Sequence, residues 1–127
     1  MNSPYHIAIL DDHEDLLSMT ATMLRIESYK VTPCKDLESL MSTIQNDPPH
    51  TLLLDMLISK VDGREVCKTI KSQATTAHLP VIIFSAHPYA EESCIDAGAD
   101  FFLPKPFTKE SLYEVVKKAL ELNLKAT

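Results

Sequence analysis

Short apolar segments alternate with amphipathic segments from one end of the chain to the other, and this alternation restricts the fold more than any other feature. The apolar segments have the length of buried strands, and the amphipathic ones carry apolar residues at helical spacing. This order is typical of a parallel sheet with helices on both faces. The predicted strands are residues 6–10, 30–34, 51–56, 81–84 and 100–103, and the predicted helices begin near Glu14, Asp36, Gly63, Pro88 and Thr108.

Two prolines indicate which strands lie at the edges of this sheet. Pro33 falls within the second predicted strand, and Pro104 falls within or just after the fifth. Proline has no amide hydrogen to donate to a neighbouring strand, so it is tolerated at sheet edges. The predicted fold is therefore a doubly wound α/β domain of flavodoxin-like (βα)5 type, with strand order 2-1-3-4-5. Residues 1–127 are expected to form this single domain, because no linker or repeat divides them.

Composition and charge exclude several classes of protein. Apolar residues make up 45% of the chain and charged residues 24%, and the net charge of −6 argues against a general affinity for nucleic acid or anionic membranes. No segment resembles a signal peptide or reaches the ~20 apolar residues of a membrane span. Three widely spaced cysteines, Cys34, Cys67 and Cys94, are expected to be free thiols in a reducing cytoplasm.

Charged residues stand at the ends of three predicted strands. Asp11 and Asp12 follow the first strand, Asp55 ends the third and Lys105 follows the fifth. The carboxyl ends of parallel strands meet at one edge of the sheet, where ligands bind. Taken alone, Asp11-Asp12 is also explained as an anion pair favoured by a helix dipole. Taken together, three acids and one lysine at one edge predict a site for a divalent cation and a phosphoryl group.

Six segments, in this order and at this spacing, carry a family resemblance. They are Ile9–Asp12, Leu52–Asp55, Val61–Gly63, Ile83–Ala86, Ala97–Asp100 and Leu103–Phe107. Over essentially its full length the chain resembles the receiver domain of two-component response regulators, the CheY-like superfamily. The resemblance implies that a histidine kinase or a phosphotransfer protein donates a phosphoryl group to Asp55. It also implies that the domain is not a metabolic enzyme, since it catalyses only its own phosphorylation and a slow autodephosphorylation.

The resemblance assigns a chemical role to each charged residue of the predicted site. Asp55 is the nucleophile that forms an aspartyl phosphate. Asp12 and Asp55 bind Mg²⁺ (or Mn²⁺) directly, the backbone carbonyl of Leu57 adds a ligand, and Asp11 acts mainly through water. Lys105 pairs with the phosphoryl oxygens, where negative charge grows during transfer.

A conformational switch is also implied by the resemblance. Ser85 matches the hydroxyl that moves to the phosphoryl oxygen, and Phe102 matches the aromatic residue that turns inward. As a phenylalanine, Phe102 packs without the hydroxyl hydrogen bond of a tyrosine. Leu57, Ala86 and His87 match positions that flank the phosphoryl group. The switch is expected to act through the face formed by helix 4, strand 5 and helix 5.

The chain departs from the family pattern in a few places. Ser59 stands where the family usually has a proline, so the loop after strand 3 is expected to be less stiff. At the flanking positions, Leu57 cannot orient an attacking water, whereas His87 can. The segment Ser85–Gly98 is about two residues shorter than usual, so helix 4 or the loop before it is expected to be cut back. The Lys105-Pro106 peptide is expected to be cis by resemblance.

The resemblance also implies partners for this domain and leaves one alternative function. Output is expected from a downstream effector protein or from a C-terminal output domain removed from this sequence, and a homodimer is a further expectation. Contact with nucleic acid or membrane is not expected. The alternative is a pseudo-receiver that binds partners without phosphorylation, and the complete set of charged and hydroxyl residues argues against it.

Two other classes that use a related fold fit less well. A haloacid-dehalogenase-type phosphatase needs an Asp-x-Asp nucleophile motif on strand 1, whereas here the two acids are adjacent. A flavodoxin-like electron carrier needs a phosphate cradle after strand 1. The acidic segment Asp11–Asp15 would repel a flavin phosphate there.

Overall fold

A parallel β-sheet flanked by helices forms the centre of the molecule in this computed structural model, which describes residues 5–58 and 60–126, with side chains up to residue 124. The strands are β1 His6–Leu10, β2 Lys30–Cys34, β3 Thr51–Asp55, β4 Val81–Ser85 and β5 Phe101–Pro104. The helices are α1 Glu14–Ile26, α2 Leu37–Asn46, α3 Gly63–Ser72, α4 Glu91–Asp96 and α5 Lys109–Ala126.

The strand order is β2-β1-β3-β4-β5, and every neighbouring pair in this sheet is parallel. The predicted fold class and strand order are therefore confirmed. Pro33 and Pro104 lie on the two edge strands, as proline chemistry requires.

Alternate residues of each central strand enter two separate hydrophobic clusters, one on each face of the sheet. Leu52 and Leu54 pack with α2, α3 and α4, whereas Leu53 between them packs with α1 and α5. Strands buried on both faces explain why β1, β3 and β4 appear in the sequence as unbroken apolar runs.

Two helices begin at the predicted caps. The carboxylate of Asp36 accepts a hydrogen bond from Ser39 N at 2.8 Å, and the hydroxyl of Thr108 accepts one from Ser111 N at 3.0 Å. Such caps satisfy amides that have no partner within the helix. The three cysteines are free and buried.

Apolar residues at helical spacing predict the first helix over residues 14–28, and α1 differs from that prediction in length and in its buried face. It ends at Ile26, because Ser28 adopts a left-handed φ of 70°. The spacing of apolar residues predicts Met19 on the buried stripe, but Met19 is 52% exposed and Leu17 is buried instead. The apolar residues of α1 cover more than one face, so their periodicity alone did not select the buried one.

The connections around β3 and β4 add local structure. Leu57–Ile58 and Val61–Asp62 form a short antiparallel pair that the sequence did not indicate, and Ser59 between them lies outside the described residues. Pro88–Ala90 forms one 3₁₀ turn before the six-residue α4, so the helix predicted to begin near Pro88 starts as a 3₁₀ turn. Within the described residues, no helix is both long and apolar enough to cross a membrane.

Candidate functional site

Three aspartates meet at the carboxyl ends of β1 and β3. Oxygen atoms of Asp11, Asp12 and Asp55 lie within 4.8 Å of one another. One oxygen of Asp11 accepts a hydrogen bond from His13 N at 2.9 Å, and the other is buried with no hydrogen-bond partner among the described residues. Carboxylate oxygens are the ligands that Mg²⁺ and Mn²⁺ prefer, and a bound cation or its water ligands would satisfy the buried oxygen of Asp11. The donor set therefore fits a divalent cation.

The sheet itself brings these acids together. β1 and β3 are direct neighbours with Leu10 paired to Leu54, so the residues that follow these two positions leave the sheet side by side. Gly63 at the start of α3 lies against the backbone of Asp55. A Cβ at this position would collide with the Asp55 carbonyl oxygen and lie 3.1 Å from its carbon. Only glycine allows α3 to begin this close to Asp55.

Lys105 extends over the same edge from the end of β5. Its Nζ is 3.4 Å from Asp55 Oδ1, and both side chains are largely buried. The pKa of Asp55 is raised to about 6, mainly by burial and also by the neighbouring Asp11, while Lys105 acts in the opposite direction. The carboxylate of Asp55 is thus held in a site where one positive group only partly offsets the cost of its charge.

Ser85 and Lys105 are joined through the backbone. Lys105 N donates a hydrogen bond to the Ser85 carbonyl at 2.7 Å, and the Lys105-Pro106 peptide is cis, as expected. The hydroxyl of Ser85 is buried and accepts a hydrogen bond from His87 N at 3.0 Å. Because the hydroxyl hydrogen is not used in that contact, Ser85 keeps a donor for another group.

The remaining predicted residues lie around this centre. Leu57 is 53% exposed, and Ala86 is also exposed. The imidazole of His87 is in ring contact with Tyr89, with 5.9 Å between the ring centroids. Phe102 is half-buried and lines a groove of about 290 Å³ between α4, β5 and α5.

Two residues near the acids were not identified from the sequence. Phe84 on β4 lies under the Lys105 ammonium, and Gly63 makes room for the backbone of Asp55. The sequence indicated Phe84 only as one more apolar strand residue. The turn Val61–Gly63 was noted, but a contact between Gly63 and the Asp55 backbone is not visible in a motif.

Comparison with known proteins leads to the same family as the sequence resemblance. The model of the response regulator receiver domain family matches residues 7–117. Response regulator MprA of Mycolicibacterium vanbaalenii is 32% identical over 111 residues, which cover 86% of this chain and 47% of that protein. Response regulator MprA of Mycobacterium avium is 33% identical over 108 residues, which cover 84% and 46%. The chain thus spans about half the length of the curated relatives it matches.

Solved structures show the same architecture. The receiver domain of NtrX from Brucella abortus is 30% identical, with a TM-score of 0.84 over 91% of this chain and 98% of that one. A CheY-like response regulator receiver domain protein from Methanospirillum hungatei, at 24% identity, shares the fold with a TM-score of 0.88 over 98% and 100%. With most of its length matched by the family model, the chain belongs to the response regulator receiver domain family of two-component systems.

Proposed function

We propose that this chain is a phosphorylation-activated receiver domain in which Asp55 accepts a phosphoryl group from a histidine kinase or a phosphotransfer protein. The observation that carries the proposal is the grouping of Asp11, Asp12 and Asp55 within 4.8 Å, with the Lys105 ammonium 3.4 Å from Asp55. One nucleophilic carboxylate, two further acids and one fixed cation meet the needs of phosphoryl transfer to an aspartate.

The proposed transfer begins with attack by an Asp55 carboxylate oxygen on phosphorus. A new P–O bond forms while the bond from phosphorus to the donor nitrogen breaks, and that nitrogen keeps the electron pair. With a pKa of about 6, Asp55 is mostly ionised at neutral pH and can act as nucleophile. Lys105 balances the negative charge on the phosphoryl oxygens.

A divalent cation fits among the acids of this site. Asp12 and Asp55 would bind Mg²⁺ or Mn²⁺ directly, with the backbone carbonyl of Leu57 as a further ligand and Asp11 acting mainly through water. When bound, the cation supplies positive charge that offsets the repulsion between the carboxylates and the phosphoryl group. The buried oxygen of Asp11, which has no hydrogen-bond partner in the described part of the chain, supports this assignment.

The proposed output is a change at the face formed by α4, β5 and α5. The hydroxyl of Ser85 would turn to donate to a phosphoryl oxygen, and Phe102 would move inward from the groove it now lines. A downstream effector protein, a C-terminal output domain or a second copy of the chain would recognise that face. In this proposal residues 1–127 act as one receiver domain and not as a metabolic enzyme.

Residues beside the phosphoryl group would set its lifetime. Leu57 is apolar and offers no group to orient a water molecule. The exposed Ala86 is equally inert. His87 has ring nitrogens that can hold a water, so any autodephosphorylation would depend mainly on His87.

The test is the intact mass of the protein after incubation with acetyl phosphate and Mg²⁺. We expect one phosphoryl adduct in the wild type, none in Asp55→Asn and none without a divalent cation. Asp15→Asn, which removes an exposed acid from the first turn of α1, is the matched control and should still be labelled. A wild-type protein that forms no adduct under rapid quenching would instead support the pseudo-receiver, which binds partners without phosphorylation.

A further inference from the structure

The aromatic ring of Phe84 faces the ammonium group of Lys105. Lys105 Nζ lies over the ring, 4.6 Å from its centroid, within the ~6 Å at which a cation is attracted to an aromatic face. Phe84 is fully buried, and the Lys105 side chain is only 19% exposed. Because water is largely excluded there, the attraction is stronger than on a protein surface.

The same ammonium group also faces Asp55, but not at the closest distance. Nζ is 3.4 Å from Asp55 Oδ1, compared with about 2.7–2.9 Å for a close charge-assisted hydrogen bond. Lys105 is thus attracted by the ring of Phe84 as well as by a carboxylate. The ring therefore adds to the forces that keep the ammonium group in this buried position, and weakening that attraction would leave the group freer to move.

The backbone fixes Phe84 beside the phosphoacceptor. Phe84 is the register partner of Asp55 on β3, and its carbonyl accepts a hydrogen bond from Met56 N at 3.0 Å. Paired residues of neighbouring strands project from the same face of the sheet. The ring of Phe107 packs perpendicular to that of Phe84, at 88° with centroids 6.2 Å apart, and so limits rotation of the Phe84 ring.

We propose that Phe84 is a positioning residue for phosphoryl transfer, and that its ring holds the Lys105 ammonium where the phosphoryl oxygens arrive. This inference rests on the function proposed above. It assigns the effect to the negative face of the ring and not to the volume of the side chain. If Phe84 only filled space in the core, an electron-poor ring of similar size would position Lys105 equally well.

The experiment replaces Phe84 with phenylalanines that carry one, two and three fluorines. Fluorine withdraws electron density from the ring face and changes its shape little, so the attraction weakens stepwise. The first readout is the rate at which an amine-reactive acylating reagent modifies Lys105 in the unphosphorylated protein without divalent cation. The second is the initial rate of Asp55 phosphorylation by acetyl phosphate with saturating Mg²⁺.

We expect Lys105 modification to accelerate and phosphorylation to slow with each fluorine. For the trifluoro variant the loss in phosphorylation rate should be about three- to thirty-fold. The matched control is trifluorophenylalanine at Phe101, which packs against the same hydrophobic cluster. That control should change neither rate. Thermal melting of every variant checks that the fold is intact.

Each outcome separates this inference from the proposed function. Lys105 modification that does not respond to fluorine at Phe84 overturns the positioning role, whatever the phosphorylation assay shows. Faster modification with unchanged phosphorylation also overturns it, because the ring would hold the lysine without aiding transfer. Faster modification in a protein that forms no adduct even as wild type supports the ring contact and rejects the proposed function instead.

Discussion

The carboxyl ends and the amino ends of the parallel strands form two opposite edges of the sheet, here called the carboxyl edge and the amino edge. Charged groups are arranged differently at the two. The carboxyl edge, formed by Asp11, Asp12, Asp55, Ser85 and Lys105, groups three acids with one lysine beside Asp55. Among the described residues, one buried oxygen of Asp11 has no hydrogen-bond partner. The amino edge, formed by His6, His50, Lys71 and Asp100, joins its polar groups into direct pairs. The same sheet thus carries an electrostatically strained edge and a satisfied one.

Lys71 and Asp100 show how the amino edge satisfies its charges. Lys71 Nζ donates to Asp100 Oδ2 and to the carbonyl of Leu79, both at 2.8 Å. The same Asp100 oxygen accepts from Val81 N at 2.8 Å, where β4 begins. One ion pair therefore ties α3 to the starts of β4 and β5. We infer that this edge contributes stability, while the carboxyl edge gives up stability for binding and chemistry.

The largest expected loss of stability comes from removing the ion pair between Lys71 and Asp100 at the amino edge. Asp100→Ala removes the partner of Lys71 and of Val81 N, and both side chains of the ion pair are less than one quarter exposed. We expect the free energy of unfolding to fall by about 3 kcal/mol, because the partly buried Lys71 loses its ion-pair partner and the Val81 amide loses its acceptor. Urea unfolding at neutral pH measures the change.

An exposed ion pair on the same helix provides the control for that prediction. Glu65 and Lys68 on α3 are paired at 3.3 Å, but their side chains are 68% and 60% exposed. Glu65→Ala should cost less than about 0.5 kcal/mol. If Asp100→Ala were as mild as Glu65→Ala, the amino edge would not be the stabilising edge of the sheet.

Removing the charge of Asp55 at the carboxyl edge should raise the free energy of unfolding, whereas removing Asp100 at the amino edge lowers it. Burial raises the pKa of Asp55 to about 6, so the fold favours its protonated form. The resulting stability is fully present below the unfolded pKa of about 4 and is lost as the pH rises through 6. Without divalent cation at pH 7.5, we expect Asp55→Asn to be more stable by about 2 kcal/mol, below the ~3 kcal/mol ceiling of a shift of about two units.

Denaturant titrations at two pH values check the origin of that gain. The difference between Asp55→Asn and wild type should nearly vanish at pH 4, where the wild-type acid is protonated. Mg²⁺ at pH 7.5 should raise the melting temperature of the wild type more than that of the variant, since binding to the folded state adds stability. A variant that is less stable at both pH values would show that Asp55 is not strained.

The carboxyl edge was largely predictable from the sequence. Unbroken apolar runs mark where buried strands end, and parallel topology then brings those ends together. Asp11, Asp55 and Lys105 could therefore be grouped without coordinates. The contact between Phe84 and Lys105 could not, because the direction of a ring within an apolar run leaves no pattern in the sequence.

The amino edge was not predictable in the same way. Lys71 and Asp100 are 29 residues apart and belong to different elements, and neither follows an apolar run. His6 looks like the first residue of a strand, yet its ring nitrogen lies 2.7 Å from the hydroxyl of Thr32 on the neighbouring strand. Pairs of this kind depend on strand register and helix placement, which composition and periodicity do not specify.

The smallest expected effect is the pH dependence of stability that arises from His6 at the amino edge. Burial lowers the pKa of His6, and Lys30 and His50 act in the same direction, while the Pro48 carbonyl and Asp47 oppose them. The folded state then binds the proton less well than the unfolded chain. Stability from His6 is therefore full above the unfolded pKa of about 6.5 and is lost as the pH falls below it, opposite in sign to Asp55.

Separating the two edges requires the Asp55→Asn background, in which the carboxyl edge no longer contributes its own pH dependence in this range. In that background we expect stability to fall between pH 7.5 and 5.5, and the additional change His6→Gln should remove most of the fall. His78→Gln, at an exposed histidine, should leave the slope unchanged. If His6→Gln and His78→Gln had the same effect on the pH dependence of stability, the loss of stability in acid would not arise from His6. The two edges would then differ in their hydrogen bonding and not in their response to pH.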